Sequence, residues 1–201
     1  MMFDFLKTIQ NRRSIYHLGN KWIIPKKELL NIIEQCLKHA PTAFNSQGAR
    51  LVVLLDAQNK YFWDLVAKKL QLIVAEDNFA NVKAKTDSFA DGLGTILFFE
   101  DNDTIAHLQK KYPAYKNDFD FYSWQSSGML QYMIWTALAS NNLGASLQHY
   151  SNLIENDVKD KWNLPKSWKL ISQMPFGNIE TPAQEKTFLS LKNRLIIKDG
   201  N

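Results

Sequence analysis

The feature that most limits what this chain can fold into is the stretch from Phe119 to Asn141, which is apolar almost all round its helical projection. A surface helix carries one apolar stripe, whereas a helix apolar on every side must be covered on every side, at the centre of a domain or between subunits. Its most apolar part, Met129 to Ala139, is interrupted by Gln131 and Thr136 and falls well short of the ~20 residues that span a bilayer. Protein, not lipid, is therefore expected to cover it. The 201 residues carry 45% hydrophobic and 22% charged side chains with only 8 glycines and 6 prolines, which excludes fibrous, low-complexity and disordered classes. The length is about one domain's worth, and no Gly/Ser/Pro-rich linker divides it, so residues 1–201 are expected to form a single domain.

Helical and strand patterns alternate around that stretch. Phe5 to Arg12 reads as a helix capped by Asp4. Pro25 suits the start of another, with Leu29, Ile32, Ile33, Cys36, Leu37 and Ala40 at three-and-four spacing until Pro41 stops it. Asn59 to Val74 carries a stripe of Phe62, Leu65, Val66, Leu70 and Ile73. Asn152 with Glu155 predicts a cap for a helix running to about Trp162. The runs Leu51 to Leu55 and Thr95 to Phe99 are short and apolar throughout, as interior strands are, and Trp168 to Gln173 and Arg194 to Lys198 are further strand candidates. Helices flanking a small mixed sheet predict an α+β, three-layer architecture.

Charge and cysteine usage narrow the setting. Cys36 is the single cysteine, and Asp4 and Lys7 interrupt the start where a secretory signal needs an apolar run, so a cytoplasmic location is expected. The net charge of +4 is uneven: basic residues gather near the ends, while Glu100 to Asp103 and Asp118 to Asp120 are acidic. A small phosphate held by a few residues fits this distribution better than a nucleic-acid track, which needs many phosphate contacts. No nucleic-acid or membrane partner is expected.

Three segments have the residue types for binding chemistry. Arg12, Arg13 and Ser14 place two guanidiniums and a hydroxyl within three residues, forked donors that match phosphate oxygens, although a solvated basic turn has the same composition. Ala40 to Gln47, APTAFNSQ, offers Thr42, Asn45, Ser46 and Gln47, able to read a heterocycle edge of mixed donors and acceptors, or simply to form a polar loop. Gly144 to Tyr150 and Met174 to Gly177 hold small residues that let a backbone approach a flat ligand. His149 lies there without a carboxylate nearby in sequence to make a dyad. Dinucleotide, P-loop, zinc and serine-hydrolase motifs are absent, and Cys36 sits on the apolar face of its helix. Side chains alone look under-equipped for hard chemistry, which a bound cofactor would supply.

The strings RRSIYHLG (12–19), APTAFNSQGAR (40–50), GLGTILFFED (92–101), GASLQHY (144–150), MPFG (174–177) and EKTFLSLKNR (185–194) occur in an order that resembles the FMN-dependent nitroreductase family, in its short fatty-acid-repression-mutant-like group. The resemblance covers essentially the whole chain. It implies a nitroreductase-like fold with a mainly antiparallel sheet, assembled as a homodimer with FMN in clefts between subunits. By the same resemblance Arg12, Arg13 and Ser14 hold the FMN phosphate and ribityl end, and Arg194 is a C-terminal phosphate ligand. Pro41, Thr42, Ala43, Asn45 and Gln47 match the loop that lines the flavin from the partner subunit. Leu147, Gln148 and His149 match the segment whose backbone amides approach flavin N5. Tyr16 stands where larger members often have a basic residue. Lys85 is the nearest match to the cation beside flavin N1 and O2, with Lys83 a competitor. Phe44 and Trp124 are candidate walls for a flat acceptor, a core role being the other reading of Trp124.

The activity so implied is hydride transfer from NADH or NADPH through flavin N5 to a nitroaromatic or quinone-type acceptor, in ping-pong order, with no catalytic acid or base side chain and no metal. A flavin-binding redox sensor with little turnover is the second reading, and a small basic nucleic-acid module the third.

Overall fold

The protein, seen here in a computed structural model, is described over residues 5–200. In chain order the first elements are α1 (Phe5–Asn11), β1 (Leu18–Gly19), α2 (Lys26–His39), β2 (Ala49–Leu55), α3 (Ala57–Gln71) and α4 (Glu76–Ala90). They are followed by β3 (Gly94–Asp101), α5 (Asn102–Lys111), α6 (Phe119–Ser140), β4 (Leu143–Ala145), α7 (Ser151–Trp162) and β5 (Trp168–Ile179). The sheet runs in the order β1-β5-β3-β2, with β4 also paired to β5, and every strand pair is antiparallel. One isolated parallel bridge, Ser14 to Ala145, makes the sheet mixed.

Strand β3 explains the layering. Each of its residues is buried, and a period of two sends alternate side chains to opposite faces. Ile96 and Phe98 pack with Leu29 and Ile33 of α2 and Leu130, Ile134 and Leu138 of α6. Leu97 and Phe99 pack with Phe62, Trp63 and Val66 of α3, Phe89 of α4 and Ile154 and Val158 of α7. Helices therefore cover both faces of the sheet, the α+β three-layer arrangement that the alternating patterns predict. A buried polar chain locks α3 to β3: Trp63 Nε1 donates to Thr95 Oγ1 (2.8 Å), which donates to Asn59 Oδ1 (2.6 Å). Asn59 Nδ2 in turn donates to the carbonyls of Phe89 and Ala90, both at 3.1 Å.

Some expectations need correction. The apolar run Leu51 to Leu55 lies in an edge strand, not an interior one: among the described residues β2 pairs with β3 alone, and apart from Leu54 it is half-buried. It is apolar on both faces because both helix layers reach it, Val52 on one side and Leu51, Val53 and Leu55 on the other. Strand β5 continues past Gln173 through MPFG, with Pro175 opposite Thr95 and its carbonyl accepting from the Ser146 N–H (3.3 Å). Asn152 is inside α7 and does not cap it; Tyr150 holds the cap position without a side-chain bond. Arg194 to Lys198 forms no strand and is exposed, no described strand lying beside it. The expected cap Asp4 lies outside the described residues. Helices α4 and α5 were not anticipated, since α4 (EDNFANVKAKTDSFA) buries only Thr86 and Phe89, and α5 only Ile105.

Candidate functional site

The chain leaves α1 at Asn11 and runs beside β4, where the Ile15 N–H donates to the Ala145 carbonyl (2.9 Å). This closeness needs a glycine at 144: a Cβ there would stand 2.9 Å from Ile15 Cγ2. Two segments far apart in sequence, Arg12 to Tyr16 and the start of Gly144 to Tyr150, thus form one wall.

Arg12, Arg13, Ser14 and Tyr16 line a pocket of about 550 Å³ whose other side is Thr181 to Lys186. Arg12 is held by aromatic stacking, its guanidinium carbon 4.3 Å from the Trp135 ring centroid. Arg13 Nη2 donates to the Gln184 carbonyl (2.5 Å). Tyr16 is half-exposed, and its carbonyl accepts from Ser88 Oγ (2.9 Å) on α4. Lys85 Nζ lies 5.9 Å from the Tyr16 ring centroid, whereas Lys83 is paired with Asp87 on its own helix. Of the two lysines, Lys85, although outside the residues that line the pocket, is the one that reaches Tyr16. Two guanidiniums and a hydroxyl on one side of a concavity, with Lys186 on the other, are a donor set suited to a phosphate-bearing ligand.

Gln148 pairs through its backbone with Gln173 (N–H to carbonyl, 2.7 Å), and its Nε2 donates to Ser146 Oγ (3.0 Å), so Leu147 to His149 is fixed against β5. His149 is exposed and shares a second pocket, about 460 Å³, with Trp124, Gln131, Ser151 and Lys169. Trp124 is 58% exposed, with Lys169 Nζ 5.1 Å from its ring centroid, so the core reading of this residue fails within one chain.

The loop from Pro41 to Gly48 lies apart from the arginine pocket. Phe44 at φ 55°, Asn45 at φ 52° and Gln47 at φ 50° all adopt left-handed backbone, costly for non-glycine residues and held only by surrounding contacts. Phe44 packs 4.7 Å from Tyr112 and 5.4 Å from Phe119, ring centroid to centroid. Gln47 is tied at both ends: its N–H donates to Thr42 Oγ1 (3.1 Å) and its carbonyl accepts from Arg50 Nη1 (2.8 Å). Arg194 is exposed, its N–H on the Leu191 carbonyl (2.9 Å), and it is not among the residues lining the arginine pocket.

Sequence reasoning missed Trp135 beneath Arg12, the 181–186 segment closing the pocket, and Arg50 at the loop base. It also missed Glu100, 3% exposed, with Oε2 accepting from Ser123 Oγ (2.7 Å) and Oε1 without a hydrogen-bond partner among the described residues. Burial pushes this carboxyl up to about 7 from its ordinary 4.5. Two carboxylates directly after the apolar run ILFF were the available signal.

The nitroreductase family pattern matches residues 9–178. The chain belongs to the nitroreductase family. Over 187 residues it is 33% identical to the putative nitroreductase HBN1 of Saccharomyces cerevisiae, covering 92% of this chain and 93% of that one. It is 32% identical over 192 residues to the nitroreductase FRM2 of the same yeast, covering 93% and 94%. The nitroreductase CinD from Lactococcus lactis, solved in complex with nicotinic acid, superposes with a TM-score of 0.91 at 41% identity over 98% of this chain and all of that one. An oxidoreductase of nitroreductase type is thereby supported, on the fold that the six sequence strings imply.

Proposed function

We propose that this nitroreductase-family chain is an FMN-dependent oxidoreductase that takes a hydride from NADH or NADPH and passes it to nitroaromatic or quinone-type acceptors. The observation that carries the reading is the wall formed where Ile15 bonds Ala145, because it sets the Arg12–Arg13–Ser14 donors next to the segment leading to Leu147, Gln148 and His149. The residues fit the cofactor: Arg12, Arg13 and Ser14 would hold its phosphate and Tyr16 its neighbouring edge, and Lys85 would favour negative charge on the ring. Leu147, Gln148 and His149 would present backbone groups to it. When bound, FMN supplies a hydride-accepting N5, so that nicotinamide and acceptor are used in turn, in ping-pong order.

The homodimer belongs to the same reading. Pro41, Thr42, Ala43, Asn45 and Gln47, with Phe44, lie outside the arginine pocket of their own chain and would line the ring from a second copy. Exposed apolar residues support such a partner: Phe121 and Trp124 on α6, and Phe188, Leu189, Ile196 and Ile197 in the last segment. That segment would also bring Arg194 to a phosphate. Trp124 is proposed as an acceptor wall, and CinD, solved with 4-nitrophenol and with chloramphenicol, supports a flat acceptor. Among the described residues no helix is long and apolar enough to cross a membrane, and a cytoplasmic location is proposed.

The test is spectroscopic. Purified protein is expected to be yellow or to become so with FMN, to bleach with NADH or NADPH, and to recover colour when a quinone or nitroarene is added. A protein that takes up no flavin contradicts the proposal, and one that binds FMN without turnover points to the sensor reading.

A further inference from the structure

Beneath the left-handed loop lies a buried acid. Glu100 is directly opposite Ala49 on β2 and Lys169 on β5, and its Oε2 would stand 3.2 Å from a Cβ at Gly48, where the loop ends. The adjacent Asp101 N–H holds the Gly48 carbonyl (3.0 Å), and the Asp101 carboxylate takes Arg50 Nη2 (2.9 Å). Arg50 Nη1 meanwhile donates to the carbonyls of Gln47 (2.8 Å) and Ala49 (3.0 Å). One guanidinium therefore joins the loop to an acidic pair of which only Asp101 is satisfied by it.

We infer that Glu100 is a positioning residue that acts, through Arg50, as a proton-controlled latch on the 41–48 loop. Uncharged, it leaves the guanidinium on Gln47 and Asp101. Ionised, it is a second buried carboxylate with a single hydrogen bond, and it draws the guanidinium away from the Gln47 carbonyl. Gln47, Asn45 and Phe44 then lose a contact that keeps them in left-handed backbone.

The charged surroundings agree. Burial raises the carboxyl, the Ser123 hydroxyl and Arg50 oppose that rise, and Asp101 adds to it. Lys169, its cross-strand neighbour, is turned over Trp124. On α6, Asp120 lies one turn before Ser123 and is engaged by Gln109 Nε2 (3.5 Å). On α5, Thr104 is the residue against Gly48, with Asp103 and His107 exposed beside it.

The consequence for acceptor reduction rests on the reading that this loop lines the flavin, so the deciding measurement is made on the protein without it. Amide hydrogen exchange of residues 42–48, corrected for intrinsic pH dependence, is followed from about pH 6 to about pH 8 in the wild type, Glu100→Gln and Ser123→Ala. The wild type is expected to lose roughly tenfold in protection, the fall in uncharged fraction across a midpoint near the middle of that range. Glu100→Gln should show no loss, and Ser123→Ala, which removes a bond favouring the charged form, should show it at higher pH. Equal pH responses in all three proteins, or none in the wild type, overturn the inference. If FMN fails to bind, the exchange result stands and only the flavin reading falls. If FMN binds, acceptor reduction by the wild type should decline over the same range relative to Glu100→Gln.

Discussion

The guanidinium of Arg12 lies over the indole of Trp135, 4.3 Å from its centroid, so the first basic residue of the pocket is oriented by the long α6 helix before any ligand arrives. A pre-oriented cation loses less freedom on binding an anion. Trp135→Leu is expected to weaken FMN binding by about 1 kcal/mol, roughly fivefold, with the fold retained. Fluorescence titration of FMN into the variant checks this.

The two candidate lysines separate cleanly. Lys83 is engaged with Asp87 one turn away, while Lys85 reaches the Tyr16 ring. Lys85→Ala is expected to slow reduction of bound flavin by NADH or NADPH by about tenfold, as one lost charge beside a developing anion does. Lys83→Ala should leave that rate unchanged, since an exposed pair of this kind contributes only ~0.3 to 0.5 kcal/mol of stability. Stopped-flow bleaching of both variants decides the assignment.

Glu100 also governs stability against pH. The unfolded chain gives up this proton near the ordinary value of 4.5, whereas the folded chain keeps it until about 7. Between those values the folded state binds more protons, so stability falls as pH rises through the window and the loss is complete above it. The loss approaches about 3 kcal/mol. Glu100→Gln has no such slope, and its melting temperature should gain on that of the wild type from about pH 5 to about pH 8. Parallel melting curves for the two proteins across that range would show that the carboxyl titrates normally.

How much of this was legible in the residues depends on the range over which each signal acts. The stop of α2 before Pro41 and the buried TILFF strand follow from local pattern, whereas the all-apolar α6 is covered on one side only within a single chain, with Phe121, Trp124, Met129 and Tyr132 left exposed. Helix α4 leaves almost no local pattern: its anchoring comes from Phe89 and from carbonyls at its end that receive Asn59 from α3. The end of β5 was placed early because a proline and a glycine ordinarily leave a sheet, yet Gly177 is needed where the Gly19 backbone passes too close for a side chain. The arginine motif was readable as donors for an anion, but not its junction with Ala145, which only the β-bridge reveals. The left-handed backbone at Phe44, Asn45 and Gln47 was equally hidden, since no glycine marks those three positions.

The central claim, that the Arg12–Arg13–Ser14 concavity grips a flavin by its phosphate, is tested most directly by titrating the protein with FMN and with riboflavin, which has the same ring and no phosphate. FMN is expected to bind at least tenfold more tightly. Arg13→Ala should weaken FMN by ~1.5 to 3 kcal/mol, the worth of one charge-assisted contact, and leave riboflavin unaffected. Equal affinity for the two ligands, or an Arg13→Ala variant that holds FMN as firmly as the wild type, would contradict the account.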